Sequence, residues 1–462
     1  MRWFIRLTVW VVFIALVRVS LSPALADTPQ PALFLVQEHN GIRFVRVDSN
    51  GEQQDIPEPL EQFAIWRYGE AEWLIVLPAH VQVSPDGESI VWTAFRSSNF
   101  SDAGMFILSL VDGSLQQFDM PYPWYPQWSP DASKILLSLP LNIPDIYPLR
   151  YPGNHVFDMT TTNLIKVSDS WTTPLWLENS NSFLMVGGGS GPYFDIRIGA
   201  ANNENANVLT VLDDILPAGA NYTVCGLAWS ESEQRAYFIT GCLAGDKEEP
   251  NTLQQLYSVD LNGNITLEAS ISDLYPANSS RPEISGLIAH DDSVFIMLRT
   301  TVNPTPGIMD VGDETYAFVV GTLNANHDLE VIYSETFPLH AEIASHVEAI
   351  KMSPDGNFIS VGLSRRGSSN VARLIVLEVA SGSRLIEHPA VGVICNLSWL
   401  DHSTLMFSVI DDPGIVTCSP VFPSPPAQTA SVDVSIGTVT TLNSQLNSPA
   451  WSIPVLPTAK LP

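Results

Sequence analysis

Val83-Ser84-Pro85-Asp86-Gly87 decides the fold, because the chain keeps returning to it. Close copies stand at Trp128-Ser129-Pro130-Asp131-Ala132 and Met352-Ser353-Pro354-Asp355-Gly356. Worn copies stand at Trp176-Leu177-Glu178-Asn179, Trp229-Ser230-Glu231-Ser232, Ile288-Ala289-His290-Asp291-Asp292, Trp399-Leu400-Asp401-His402 and Trp451-Ser452. Successive copies lie 45 to 64 residues apart. Self-similarity at that period marks an array of structural repeats rather than a string of unrelated domains.

The recurring tetrapeptide is turn chemistry. Proline presets its own backbone angle, aspartate bonds the backbone just ahead of it, and glycine takes the left-handed conformation without strain. A type I turn followed by a bulge closes a tight antiparallel hairpin. Apolar, β-branched runs flank it, at residues 80–84 and 89–95 for the first copy. The strand after the turn recurs at 134–139, 183–187, 236–242, 294–299, 358–363 and 404–410. A third strand follows in most units, as in residues 105–110 before Asp112-Gly113 and 255–259 before Asn262-Gly263. A fourth, weaker one leads to the next repeat. Four short strands per unit predict an all-β chain folded as a closed β-propeller.

The Trp-Ser-Pro-Asp-Gly hairpin, the apolar strand after it and the later Asp-Gly turn resemble the TolB-type β-propeller, and are similar to the propeller domain of prolyl oligopeptidase-like enzymes. The resemblance implies a fold and leaves the activity open, since propellers carry many unrelated functions. It implies one TolB-like domain over residues 27–462, in which the tryptophans wedge between adjacent blades. Eight blades are expected, with seven as the alternative. The last unit already supplies four strands within residues 399–444, whereas residues 33–37, 42–47 and 53–56 lack an opening Trp strand. Pairing Trp451-Ser452 with them closes the ring and removes its exposed edges.

At the amino end Arg2 and Arg6 precede an apolar run over residues 7–17, and Ala24-Leu25-Ala26 offers a small-residue cleavage site. That pattern predicts a signal peptide over residues 1–26 and an extracytoplasmic product, periplasmic or secreted, without membrane insertion. The chain carries 21 Lys and Arg against 49 Asp and Glu, a formal charge of −28. Loss of Arg2, Arg6 and Arg18 with the leader takes −28 to −31. Nucleic acid is excluded as a partner, because phosphate contacts need clustered cations. The same charge favours a soluble monomer.

There are four cysteines. Cys225 and Cys395 each stand four residues before a repeat tryptophan, while Cys242 and Cys418 follow the next strand of the same unit. The start of one hairpin strand faces the end of the other, so the register predicts Cys225–Cys242 and Cys395–Cys418 disulfides in an oxidising compartment.

Catalytic motifs are sparse. In Gly187-Gly188-Gly189-Ser190-Gly191, Pro192 stands where a nucleophile elbow needs its last glycine. No His-Glu-x-x-His, phosphate loop or dinucleotide fingerprint occurs. One polar cluster has metal-binding chemistry. His340, Glu342, His346 and Glu348 share even numbers, so an unbroken extended segment would set them on one face. Solvated surface is the competing reading of the same residues. The leading expectation is a non-catalytic propeller, without cofactor, that binds a protein, peptide or glycan on one face or at the channel mouth. Two others stand beside it: a metal-dependent, polysaccharide-active propeller resembling oligogalacturonate lyases, and an accessory propeller that gates or presents substrate for a separate partner.

Overall fold

The computed structural model describes residues 32–38, 41–48, 52–65, 71–75, 81–120, 125–138, 153–168, 174–186, 195–202, 207–211, 224, 226–240, 254–270, 274, 279–302, 315–324, 328–338, 345–365, 371–391, 393–410, 428–442 and 452–455. Among them the regular elements are strands, gathered into eight sheets. We number the blades along the chain: blade 1 at 32–60, blade 2 at 63–120, blade 3 at 125–168, blade 4 at 175–211, blade 5 at 226–270, blade 6 at 279–338, blade 7 at 345–391 and blade 8 at 393–441. The fold is an eight-bladed β-propeller.

Closure follows the expected route. Ser452–Val455 joins blade 1 as its innermost strand, antiparallel to Ala32–Glu38, with Val36 opposite Ser452 and Leu33 opposite Val455. Side-chain packing closes the ring as well. Buried apolar residues form a cluster at every one of the eight junctions between consecutive blades. The last of these sets Met406 and Leu442 of blade 8 against Phe34, Val36 and Val45 of blade 1. A four-stranded sheet is apolar on both faces here, because each face meets a neighbouring blade. Burial of that surface is the main force holding the ring together.

Blade 2 departs from the expectation of a single opening strand. Its second strand, Ser89–Arg96, pairs with two separate pieces, Val81–Val83 near the hairpin and Trp73–Ile75 at the far end. A further strand, Phe63–Ile65, runs parallel to Trp73–Ile75 and makes the sheet six-stranded. Gln37 of blade 1 tethers it: its side-chain carbonyl accepts from the Ile65 N–H at 2.7 Å. Phe63 packs edge-on against Trp92 and Phe106, with centroids at 5.3 and 4.7 Å. That aromatic knot fills the junction between blades 1 and 2.

The hairpin turns form as their residues dictate. In blade 2 the Gly87 N–H donates to the Ser84 carbonyl at 2.9 Å, and the Ser84 N–H reaches the Ser89 carbonyl at 2.8 Å. The Ser84 hydroxyl accepts from the Ser89 N–H, also at 2.9 Å. Blades 3 and 7 repeat the arrangement, with Lys134 and Phe358 donating to the Ser129 and Ser353 hydroxyls at 2.9 Å. The third loop residue is left-handed in each, with φ of 73° at Gly87, 59° at Ala132 and 73° at Gly356.

Candidate functional site

The innermost strands surround the axis, and the hairpins at their ends form a ring on one face. Indole donors tie three blades to the ones before them. Trp128 Nε1 donates to the Gln82 carbonyl at 3.4 Å, Trp176 to Gln127 at 3.1 Å, and Trp399 to Lys351 at 3.4 Å. In every case the acceptor is the residue just before the aromatic position of the preceding repeat. The wedge implied by the resemblance is therefore present, with a donor–acceptor pair that fixes its register.

Hairpin tips also touch their neighbours. Asp131 N–H donates to the Ser180 hydroxyl at 3.0 Å, and Lys134 Nζ lies 3.3 Å from Asn181 Oδ1. Ser230 donates to the Asp291 carbonyl at 2.9 Å. His290 of blade 6 lies so close to Gly356 of blade 7 that a Cβ on Gly356 would stand 2.0 Å from its Nε2.

This face is acidic. It carries Asp86, Asp131, Glu178, Glu231, Asp291, Asp355 and Asp401 on seven consecutive blades. Burial raises the Glu178 carboxyl above its ordinary range, and the negative charges of Glu231 and Asp291 raise it further, against an opposing effect from His290. The Glu178 carboxyl of blade 4 thus feels the charges of blades 5 and 6. The turn aspartates go the other way. Burial opposes ionisation of Asp131 and Asp355, but the Ser133 and Asn357 N–H groups and the Ser129 and Ser353 hydroxyls hold both below the usual range. His290 Nδ1 is buried without a hydrogen-bond partner, and its Nε2 sits 3.6 Å from Asp291.

A cation lies one step inside the mouth. Lys351 stands on the innermost strand of blade 7, Ser345–Met352, immediately before the hairpin. Its side chain is open to solvent, yet protein crowds it closely enough that desolvation pushes its ammonium below the ordinary lysine range. It lies on the strand nearest the axis of the ring, at the end that leads into the hairpin.

The residues singled out from sequence fall elsewhere. His340 and Glu342 lie outside the described residues. His346 is a strand residue opposite Ser364, and the ladder slips between Val347 and Ala349, at Glu348. Cys225, Cys242 and Cys418 lie outside the described residues, as do the Gly187–Pro192 run and the leader; Cys395 is a strand residue opposite Ser408. Among the described residues no group of three or more His, Cys, Asp or Glu is arranged to hold a metal. The Glu178–Glu231–Asp291 site, His290 and Lys351 were not singled out from sequence. The signal was there: aligning the repeats places Gln82, Gln127, Leu175, Ala228, Leu287, Lys351 and Ser398 at one position, and Lys351 is the charge among them.

No known protein family's sequence profile matches the chain, and no curated protein matches it. Solved structures do. A structure described as the eukaryotic initiation factor is 11% identical, with 93% of this chain and 97% of that chain covered and a TM-score of 0.47. The β-propeller domain of the Trilobed protease from Pyrococcus furiosus is 13% identical over 80% of this chain and 98% of that chain, with a TM-score of 0.42. A puromycin-hydrolyzing peptidase of Mycobacterium tuberculosis is 14% identical over 81% of this chain and 54% of that chain, with a TM-score of 0.45. At such identities and TM-scores these likenesses carry no functional argument, and the eight-bladed ring rests on the strand pairing described above.

Proposed function

We propose that this protein is an exported, non-catalytic propeller that binds a protein or peptide at the hairpin-side mouth of its axial channel. The observation that supports it is the shared acidic site of Glu178, Glu231 and Asp291, contributed by three blades. Like charges gathered on a rigid rim repel one another, and a cationic partner relieves that repulsion while its approach is steered by the field. Short turns on a rigid ring suit recognition, because a partner meets a surface already ordered. Glycan is the weaker ligand class at this rim. Sugars are held by stacking on exposed aromatic faces, and the repeat tryptophans Trp128, Trp176, Trp229 and Trp399 are all buried between blades.

The test is an array of basic, neutral and acidic 15-residue peptides probed with the purified protein. Preferential binding of basic peptides, reduced at least tenfold in a Glu178→Gln/Glu231→Gln variant, is the expected result. Equal binding across the three charge classes would sink the reading. Elemental analysis provides the counter-test for the lyase-like alternative: stoichiometric manganese or zinc, lost on replacing His340 and His346, would move the assignment to a metal enzyme.

A further inference from the structure

Lys351 is the feature that the rim reading leaves unused. No ion pair or hydrogen bond of its Nζ occurs among the described residues. Elsewhere the fold pairs its cations closely: Arg373 meets Glu335 and Glu387, Arg235 meets Glu268, Arg197 meets Asp195, and Arg96 meets Glu72. With acidic residues outnumbering basic ones 49 to 21, a carboxylate for Lys351 would be easy to supply. None of the equivalent positions in blades 2 to 6 and 8 supplies one, being Gln82, Gln127, Leu175, Ala228, Leu287 and Ser398. An exposed ammonium on an innermost strand, crowded by protein and without a counter-charge among the described residues, is prepared for an anion from outside.

We propose that Lys351 anchors the terminal carboxylate of a basic peptide that enters the axial channel from the hairpin face. This rests on the binding reading above and names the ligand end that goes in first. Two charges of opposite sign are arranged in depth. The acidic rim receives arginine or lysine side chains of the peptide, and Lys351 behind it receives the single negative charge at the chain end. Polyanions are disfavoured, since they would have to cross the rim with many charges. A peptide acid carrying one carboxylate and several cations crosses it with a favourable field throughout.

The probe is a pool of acetylated hexapeptides, each with two arginines and randomised remaining positions, prepared once as free acids and once as carboxyl-terminal amides. Equilibrium dialysis against the purified protein, read by mass spectrometry, should retain free acids about tenfold over the matching amides. In parallel, cyanate labelling followed by peptide mapping should show Lys351 carbamylated in the free protein and shielded by the acid pool but not by the amide pool. Lys351→Met should abolish the acid preference, while Lys351→Arg should keep it, with thermal melts confirming that both variants fold. Equal retention of acids and amides, with Lys351 labelled undiminished, would overturn the carboxylate anchor and leave the rim reading standing. Retention of neither pool would overturn both.

Discussion

Blades 2, 3, 4 and 7 close their first hairpin in one way, and blades 5, 6 and 8 each do it differently. In the first group four residues bridge the strands, between Ser84 and Ser89, Ser129 and Lys134, Leu177 and Ser182, and Ser353 and Phe358. The third of the four is left-handed in all of them: Gly87, Ala132, Ser180 and Gly356. Blade 5 spans Ser230 to Arg235 with the left-handed residue last, at Gln234. Blade 6 turns in two residues between His290 and Ser293, with Asp291 left-handed, and blade 8 closes from Leu400 to Thr404. Blade 4 is the instructive case. It has neither the serine nor the proline, yet Asn179 accepts from the Asn181 and Ser182 N–H groups at 2.9 Å and reproduces the turn. What these four blades share is a backbone path, and more than one side-chain solution satisfies it.

The largest expected effect separates blade 4 from blade 5 at their tryptophans. Trp176 is 2% exposed and bonds the preceding blade, whereas Trp229 is 8% exposed and donates to Glu231 within its own hairpin, at 2.7 Å. Trp176→Ala should cost about 3–5 kcal/mol through the cavity it opens. Trp229→Phe should cost much less, because phenylalanine keeps most of the buried ring and only the bond to Glu231 within the same hairpin is lost. Guanidinium denaturation of the two variants measures the difference; equal losses would mean that the Trp176 ring contributes nothing as a wedge between blades 3 and 4.

A second test concerns glycines of matching backbone and different surroundings. Gly356 and Gly437 have φ of 73° and 70°, but a Cβ would strike His290 at Gly356 and nothing within 4 Å at Gly437. Gly437→Ala should cost about 1 kcal/mol from the left-handed conformation alone. Gly356→Ala should cost at least 1 kcal/mol more, about 2 in all. Adding His290→Ala to Gly356→Ala should recover the excess, and failure to do so would show that the hairpins of blades 6 and 7 do not press on each other.

Ala132 offers a smaller and opposite change. It holds a glycine conformation, with φ of 59°, so Ala132→Gly should stabilise by about 0.5–1 kcal/mol as strain is relieved. Ser180→Gly relieves the same strain but loses the hydroxyl that accepts from Asp131 N–H. That variant should sit near zero or below. Parallel melts distinguish a conformational gain from a lost cross-blade bond.

The smallest effect lies at the rim. The Glu178 carboxyl is raised, so its ionisation weakens the fold: the contribution is absent below the ordinary value of 4.5 and grows as pH rises through the raised value. Glu178→Gln should therefore raise Tm by about 1 °C at pH 7 and leave it unchanged at pH 3.5. The turn aspartates have the reverse sign. Asp112, held at about 2 by the Ser114 N–H and the Ser109 and Ser114 hydroxyls, stabilises its turn above 3.8 and loses that contribution as pH falls toward 2. A pH series of melts reads both ends, with Glu178→Gln for the first and Asp112→Asn for the second.

Much of the architecture was legible before any coordinates. The Ser-Pro-Asp-Gly turns, their flanking apolar strands and the unpartnered Trp451-Ser452 led to eight blades and to closure of Ser452–Val455 on Ala32–Glu38. Phe63–Ile65 and Trp73–Ile75 were not legible. Three apolar residues cannot express a period, and parallel pairing carries no hairpin signal. The two-residue turn of blade 6 escaped for a related reason, since Asp291-Asp292 lacks the glycine that marks such turns.

The functional residues divide along the same line. Sequence by itself determined the repeat, the acidic charge and the chemistry of the Ser-Pro-Asp-Gly turns, because all three depend on neighbours in the chain. It pointed to His340, Glu342, His346 and Glu348, which lie close together in the chain and therefore drew notice. Only the ring decided that Glu231 and Asp291, each more than fifty residues from the previous member of the set, act on Glu178, and that Lys351 stands beside the axis without a counter-charge among the described residues. A propeller builds its site from one residue per blade, so proximity there depends on the position of each residue within its repeat rather than on its separation along the chain.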